Sequence, residues 1–376
     1  MNLFDVYPRF DVTPTRANGV YLFDENNQAY LDLYGGHGVI SIGHNHPEYI
    51  GKVSQQLNQI GFYSNSVNMP IQDEYADKLT KVSGYPKYKL FLCNSGAEAN
   101  ENAIKLASFH TGKKKVVAYK GGFHGRTAAT LNVTDNKKLS SQINLSNFDV
   151  DFIELNNKKQ LIESLKGEDV SAVIMEGIQG VGGLNEPTEE YQIFLSEACS
   201  KYGALLILDE IQSGFGRTGN FFAHQASKIE PDLISMAKGM GNGFPVAGVL
   251  IHPKIKASLG LLGTTFGGNH LACAAGLSVL NVLNNEKLML NVQSVSKSFI
   301  AEINHIPAVK NIKGRGLMLG LEFDFPIAAL RLKLLNEHHI FTGASANPNL
   351  LRILPPLTIK TEELTHFISA LKTSLQ

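Results

Sequence analysis

The chain contains no tryptophan and only three cysteines, Cys93, Cys199 and Cys273. Three scattered thiols cannot frame a disulfide-stapled fold, and a reducing cytoplasm is the compartment that fits. An excess of one charge is also missing, because Lys+Arg and Asp+Glu balance at 34 each over 376 residues. No basic block is longer than Lys113-Lys114-Lys115, so broad nucleic-acid binding is not expected. No apolar run approaches the roughly 20 residues that span a bilayer, so no membrane partner is expected. Met1 to Phe10 carries Asp5 and Arg9 and has no apolar core, so it is not expected to act as a secretory signal. Repeats, low-complexity tracts and Pro/Ser-rich linkers are absent. What remains is a chain with 43% hydrophobic and 18% charged residues, long enough for one large or two intimately joined domains. Glycine is plentiful at 35 residues and clustered, which points to tight turns and close approach of backbone to a ligand.

Apolar runs at 90–93, 116–119, 171–175, 204–208, 232–236 and 246–251 read as short strands buried on both faces. Helical stretches at 97–110, 157–166 and 189–202 separate several of them. This alternation predicts an α/β fold with a mostly parallel sheet covered on both sides. Residues 20–33 read as a hairpin around the polar turn 24–28, and Gly35-Gly36-His37-Gly38 breaks the pattern after it. Pro47 opens a helix running to about Ile60. Residues 270–304 read as mainly helical. The tail mixes a strand at 316–323 with helices near 326–338 and 361–374. The expected division is a large domain over 46–275 and a smaller α+β domain built from 1–45 and 276–376. Ligands of open parallel sheets bind at the carboxyl ends of the strands, and the informative residues lie there.

Asn94-Ser95-Gly96-Ala97-Glu98 follows a strand and opens a helix. Ser95 and Glu98 have capping-box spacing, and Gly96 exposes backbone N–H groups at the positive helix end, a phosphate cradle. Leu208-Asp209-Glu210 places an acid at the end of a buried strand. It could hold magnesium in a nucleotide hydrolase or pair with a protonated ring nitrogen. The hydrolase reading needs a phosphate loop of the Gly-x-x-x-x-Gly-Lys-Ser/Thr type, which is missing. Ala237-Lys238-Gly239 sets a lysine among small residues, where desolvation would lower its pKa and free the amine for Schiff-base formation. Gly214-Phe215-Gly216-Arg217-Thr218-Gly219 matches the dinucleotide fingerprint but opens no helix. His44 and His46 have no third ligand nearby, so no metal is expected.

Together these pieces resemble a fold type I enzyme dependent on pyridoxal 5′-phosphate (PLP). The ordered strings sharpen the resemblance to the class III, or ω-amino, aminotransferases. They are Gly43-His44-Asn45-His46-Pro47, Asn94-Ser95-Gly96-Ala97-Glu98-Ala99-Asn100-Glu101, Gly122-Phe123-His124-Gly125-Arg126-Thr127, Leu208-Asp209-Glu210-Ile211-Gln212-Ser213-Gly214-Phe215-Gly216-Arg217-Thr218-Gly219, Ala237-Lys238-Gly239, Thr264-Thr265-Phe266-Gly267-Gly268-Asn269 and Arg352-Ile353-Leu354-Pro355-Pro356-Leu357. Phe123 to Thr127 and the compact length look most like acetylornithine aminotransferases. The resemblance implies that Lys238 carries PLP and moves the substrate proton, and that Asp209 keeps the ring nitrogen protonated. It implies that Gln212 bonds the phenolic oxygen, Phe123 stacks on the ring, and Ser95, Gly96 and Ala97 hold the phosphate. Thr265 would reach the phosphate of a neighbouring subunit, which implies a homodimer with shared sites. Arg126 and Arg352 would read substrate carboxylates, Glu176 would order the site near Gln212, and His37 and Tyr63 would contact substrate. The implied reaction moves the terminal amine of an N²-acylornithine, N²-acetylornithine foremost, to 2-oxoglutarate in arginine biosynthesis. N²-succinylornithine, ornithine and 4-aminobutyrate are the alternative donors.

One departure stands out. Where the family string reads Glu-Pro-Ile-Gln-Gly-Glu-Gly-Gly, this chain has Glu176-Gly177-Ile178-Gln179-Gly180-Val181-Gly182-Gly183. Valine at 181 leaves Arg352 without the glutamate that relatives supply. Glu186, ordered water or a substrate carboxylate is expected to compensate.

Overall fold

The computed structural model describes residues 3–141 and 148–376; the first two residues of the N-terminal segment lie outside it. Fifteen strands among these residues form three sheets. In chain order they are β1 (Pro14–Asn18), β2 (Tyr21–Asp24), β3 (Ala29–Asp32), β4 (Lys89–Cys93), β5 (Lys115–Tyr119), β6 (Val150–Ile153), β7 (Val170–Glu176), β8 (Leu205–Asp209), β9 (Leu233–Met236) and β10 (Ala247–Ile251). β11 (Asn311–Arg315), β12 (Met318–Glu322), β13 (Ile340–Phe341), β14 (Gly343–Ala344) and β15 (Leu350–Ile353) follow.

The central sheet has the order β4-β10-β9-β8-β7-β5-β6, and β10 alone runs antiparallel to its neighbours. Every residue of β7, β8 and β9 is buried, as two-sided apolar strands covered by helices must be. The helix Gly96–Thr111 lies on one face and Glu189–Tyr202 on the other, giving two separate apolar layers. The carboxyl ends of β4, β7, β8 and β9 therefore converge on one edge, and Asn94, Glu176, Asp209 and Lys238 follow from it.

β1, β2, β3 and β13 form a second sheet in which β3 and β13 run parallel, with Leu31 opposite Ile340. The third sheet has the order β11-β12-β15-β14. The tail strand expected at 316–323 is the second arm of a hairpin that starts at Asn311. Gly314 and Gly316 both have positive φ, at 77° and 60°, and a Cβ on Gly314 would lie 2.1 Å from the Met318 carbonyl oxygen. The chain turns there, so the strand begins at Met318. Two helices, His270–Asn285 and Leu288–Ile303, occupy the stretch read as helical and pack with the third sheet and the helix Thr361–Ser374.

Candidate active site

The strand ends and their following turns line a cavity of about 430 Å³. Ser95, Gly96, Ala97, Phe123, Arg126, Glu176, Asp209, Gln212 and Lys238 all face it. Residues expected from five separate strings are thus brought together.

Asp209 ends β8 and is buried. Its Oδ2 accepts from Asn100 Nδ2 at 2.8 Å and lies 2.8 Å from His124 Nδ1, while Oδ1 accepts from the Ile211 backbone N–H at 3.0 Å. Three contacts from three separate segments thus fix the orientation of the carboxylate. The Nε2 of His124 and Oδ1 of Asn100 are buried without a partner among the described residues. Neither residue was singled out in the sequence. Asn100 could have been, because it falls in the buried stripe Ala99, Asn100, Ala103, Ile104, Ala107 of its helix, and a polar side chain there needs a partner.

Lys238 leads a single helical turn after β9, with a φ of 47° that non-glycine residues seldom adopt. Among the described residues no acceptor lies within hydrogen-bond or ion-pair distance of its Nζ. Burial pushes its ammonium below the ordinary lysine value; Asp209 and Glu176 pull it back up in part, and Arg352 pushes it further down. A free, deprotonation-prone amine beside a fixed carboxylate is the chemistry that imine-forming lysines require.

At the start of the helix Gly96–Thr111, Ser95 Oγ accepts from the Glu98 N–H at 3.2 Å. Glu98 reaches back to Asn94, accepting from its N–H at 2.9 Å, so the first N–H groups of the helix stay open to the cavity. Gly96 has a second role that the sequence did not disclose. A Cβ there would meet Ile211 Cδ1 at 2.8 Å, so glycine lets the helix start approach the loop after β8.

Glu176 accepts from the N–H groups of Phe123 and Gly180, each at 2.9 Å. Burial drives its pKa up to about 7; His124 opposes that rise and Asp209 adds to it. Gln212 donates through Nε2 to the His37 carbonyl at 2.9 Å. Arg126 is exposed at the cavity rim. Arg352 is only 4% exposed and donates through Nη1 to the Gly180 carbonyl at 2.7 Å and to Gln212 Oε1 at 3.4 Å. Its Nε has no partner among the described residues. Glu186, one of the acids expected to compensate Arg352, pairs instead with Arg315 at 3.0 Å, because the hairpin β11–β12 brings Arg315 to it.

His37 stands beside the cavity. Partial burial, then the cations Arg352, Lys238 and Arg126, push its imidazole below the ordinary value. Tyr63 and Thr265 are exposed and do not line the cavity of their own chain. His44 and His46 bond separate carboxylates, Asp32 and Glu286, each at 2.9 Å. Arg217 of the glycine-rich run is buried and spends its guanidinium on backbone carbonyls, including those of Leu317 and Pro355. That run is a clamp between segments.

The family model described as Aminotransferase class-III matches residues 5–375. An acetylornithine aminotransferase from Halalkalibacterium halodurans is 39% identical over 100% of this chain and 98% of its own length. One from Bacillus subtilis is 36% identical over 100% and 97%. Among solved structures, the ornithine aminotransferase of Toxoplasma gondii superposes with a TM-score of 0.90 at 27% identity, covering 98% of this chain and 91% of that one. An (S)-enantioselective omega-transaminase from Thermomicrobium roseum gives 0.91 at 25% identity, covering 100% and 96%. With a buried lysine, a fixed carboxylate and an open helix start around one cavity, and with these relatives along its whole length, the chain belongs to the class-III aminotransferases.

Proposed function

We propose that this enzyme uses PLP to transfer the terminal amine of N²-acetylornithine to 2-oxoglutarate, giving the semialdehyde and glutamate. The observation that carries the reading is the meeting of Lys238, Asp209 and Arg126 in one cavity, with Arg352 buried directly behind the cavity residues Gly180 and Gln212. The relatives named acetylornithine aminotransferase supply the donor. Arginine biosynthesis in the cytoplasm is the setting that donor implies.

The residues fit PLP. Open N–H groups at Ser95, Gly96 and Ala97 suit a phosphate. Phe123 offers a ring to stack, Gln212 an amide for the phenolic oxygen, and Asp209 an acceptor for a ring N–H. When bound, PLP supplies an aldehyde for amines and a protonated ring that accepts electrons from the carbon losing its proton. Asp209 holds the charge that keeps the ring nitrogen protonated, and Asn100 and His124 hold Asp209. Lys238, its pKa lowered by burial, takes the substrate proton and returns it. Glu176 fixes the backbone of Phe123 and Gly180. Arg126 at the rim takes the α-carboxylate of the donor, and Arg352 takes a carboxylate of glutamate, because each offers a planar fork. His37 and Tyr63 complete the substrate walls. Thr265 serves the phosphate of a second subunit, so the working unit is a homodimer formed by the large domain, 46–275, with the smaller domain, 1–45 and 276–376, over the site.

The test is borohydride reduction of the PLP-loaded protein followed by peptide mapping, together with a panel of donors assayed with 2-oxoglutarate. Label on Lys238 and a preference for N²-acylornithines support the reading. Label on Lys105 or Lys120, or a preference for 4-aminobutyrate, overturns it. N²-succinylornithine is the second reading, favoured by Arg352 having no carboxylate within ion-pair distance among the described residues.

A further inference from the structure

Arg352 is a buried cation with no carboxylate within ion-pair distance among the described residues, yet its position is fixed by neutral groups. With three other residues it closes a ring of contacts. Arg352 Nη1 donates to Gln212 Oε1 at 3.4 Å, and Gln212 Nε2 donates to the His37 carbonyl at 2.9 Å. The His37 ring bonds the Tyr34 hydroxyl through Nδ1. The Tyr34 ring closes the circuit, its centroid 5.8 Å from the Arg352 guanidinium carbon.

Two backbone features are shaped to this ring. Gly343 is the register partner of Arg352 across β14 and β15. A Cβ on Gly343 would lie 2.6 Å from Tyr34 Cε2 and 3.0 Å from Arg352 Cβ, so only glycine admits the aromatic ring there. His37 has a φ of 68° between Gly36 at 55° and Gly38 at 75°, a left-handed turn that delivers its carbonyl to Gln212 and its imidazole to Tyr34. A non-glycine residue stays in that region only where its surroundings impose it.

We propose that Tyr34 is a specificity-determining residue acting through Arg352: its neutral ring orients the guanidinium without neutralising it and keeps that cation open to a dicarboxylate substrate. The inference rests on the reading of Arg352 as a carboxylate reader. The physical distinction is between two ways of holding a buried cation. A protein carboxylate would form a charge-assisted pair that an incoming carboxylate must break. The Tyr34 ring and hydroxyl attract the cation without forming an ion pair; Nη1 is taken by the Gly180 carbonyl, and Nε is left as an unused donor. The partnerless Nε of Arg352 is such an unused donor, and a buried donor gains most from the ligand that satisfies it. Tyr34 is a positioning residue, since it holds the group that would read the substrate.

The experiment uses the PLP-loaded protein and the variants Tyr34→Leu, Tyr34→Phe and Gly343→Ala. The half-reactions with glutamate and with N²-acetylornithine are followed separately by the absorbance of the bound cofactor. The Kd of glutarate, an unreactive dicarboxylate, is measured by calorimetry. Tyr34→Leu is expected to raise the glutamate KM and the glutarate Kd about tenfold, the order of a desolvated cation–π contact. Its limiting rate with glutamate and its kcat/KM with N²-acetylornithine should stay within about threefold, well below one decade. Gly343→Ala, which displaces the ring, should show the same split. Tyr34→Phe keeps the face but loses the hydroxyl that meets Arg352 and His37, and should recover part of the loss. Equal losses in both half-reactions, an unchanged glutarate Kd, or a Phe variant as impaired as Leu would overturn the role of Tyr34. If the wild-type protein neither binds glutarate nor reacts with glutamate, the functional reading itself fails and takes this inference with it.

Discussion

His124 Nδ1 lies 2.8 Å from Asp209 Oδ2, and both side chains are buried beneath the cavity. The acid at the end of β8 is therefore fixed from behind, with its orientation set before any ligand arrives. That arrangement makes its replacement informative.

Asp209→Asn keeps the shape and removes the charge. The amide oxygen can still accept from Asn100 and His124, but its nitrogen then faces the Ile211 N–H, which loses its acceptor. A lost buried hydrogen bond costs about 1–3 kcal/mol, which a urea titration would detect. Turnover is expected to fall at least ~10²-fold, the order found on removing one preorganised stabilising group. Near-normal kcat in this variant would rule out an electrostatic role for Asp209.

Lys238 gives a pH signature in the protein without cofactor. Burial holds its folded pKa below the unfolded value, so the unfolded chain binds more protons in the window between them. Stability must then rise with pH across that window and level off near the ordinary lysine pKa of about 10.4. Lys238→Met removes the buried charge. It is expected to raise the melting temperature of the apoprotein at pH 7, with the gap to wild type narrowing towards pH 10. A gap that does not depend on pH would show that the amine carries no burial penalty.

The sheet was legible because β5, β7, β8 and β9 are buried on both faces and read as unbroken apolar runs. β6 escaped because Val150-Asp151-Phe152-Ile153 sits at the sheet edge and carries a charge that pairs with Lys115 at 2.8 Å. β13 and β14, of two residues each, are too short to show a period. Asp209 and Lys238 were legible because one ends an apolar strand and the other stands two residues beyond one. His124 and Tyr34 were not, since their importance lies in partners far along the chain; Asn100 showed only as a polar residue in a buried stripe, and its partner Asp209 is 109 residues away. Val181 shows the reverse case. Its departure from the family string was plain, but the sequence could not say that Glu186 was already paired with Arg315.

Glu176 titrates in the opposite sense to Lys238. Its folded pKa is raised to about 7 by burial, above the ordinary 4.5, so the native state binds more protons between these values. Stability contributed at this position is present below pH 4.5 and is lost as pH rises towards 7. Glu176→Gln removes the titration, while its single carbonyl oxygen can satisfy only one of the Phe123 and Gly180 N–H groups. The variant should be less stable than wild type near pH 5, and the deficit should shrink as pH approaches 7. Parallel stability curves from pH 5 to 7 would mean that Glu176 is ionised throughout.

Val181 lies at the cavity wall, 36% exposed, directly after the residue whose carbonyl accepts from Arg352. A glutamate there would place a carboxylate beside a cation that has none within ion-pair distance among the described residues. In the present protein Arg352 is held by neutral acceptors through Nη1 and keeps Nε without a partner among the described residues, so a carboxylate from either substrate meets no competing acid there. A donor whose acyl group ends in a carboxylate can use it, and N²-succinylornithine has such a group whereas N²-acetylornithine does not. A charge-assisted hydrogen bond contributes about 1.5–3 kcal/mol net, or about 10- to 150-fold in kcat/KM. The succinyl donor is therefore expected to equal or exceed the acetyl donor in the wild-type protein. Val181→Glu should shift preference back towards the acetyl donor and raise the KM for glutamate, because the new ion pair must open before a second carboxylate can enter. The measurement is kcat/KM for both donors, and KM for glutamate, on both proteins. A wild-type preference of tenfold or more for the acetyl donor, unchanged in Val181→Glu, would show that position 181 does not select the acyl group.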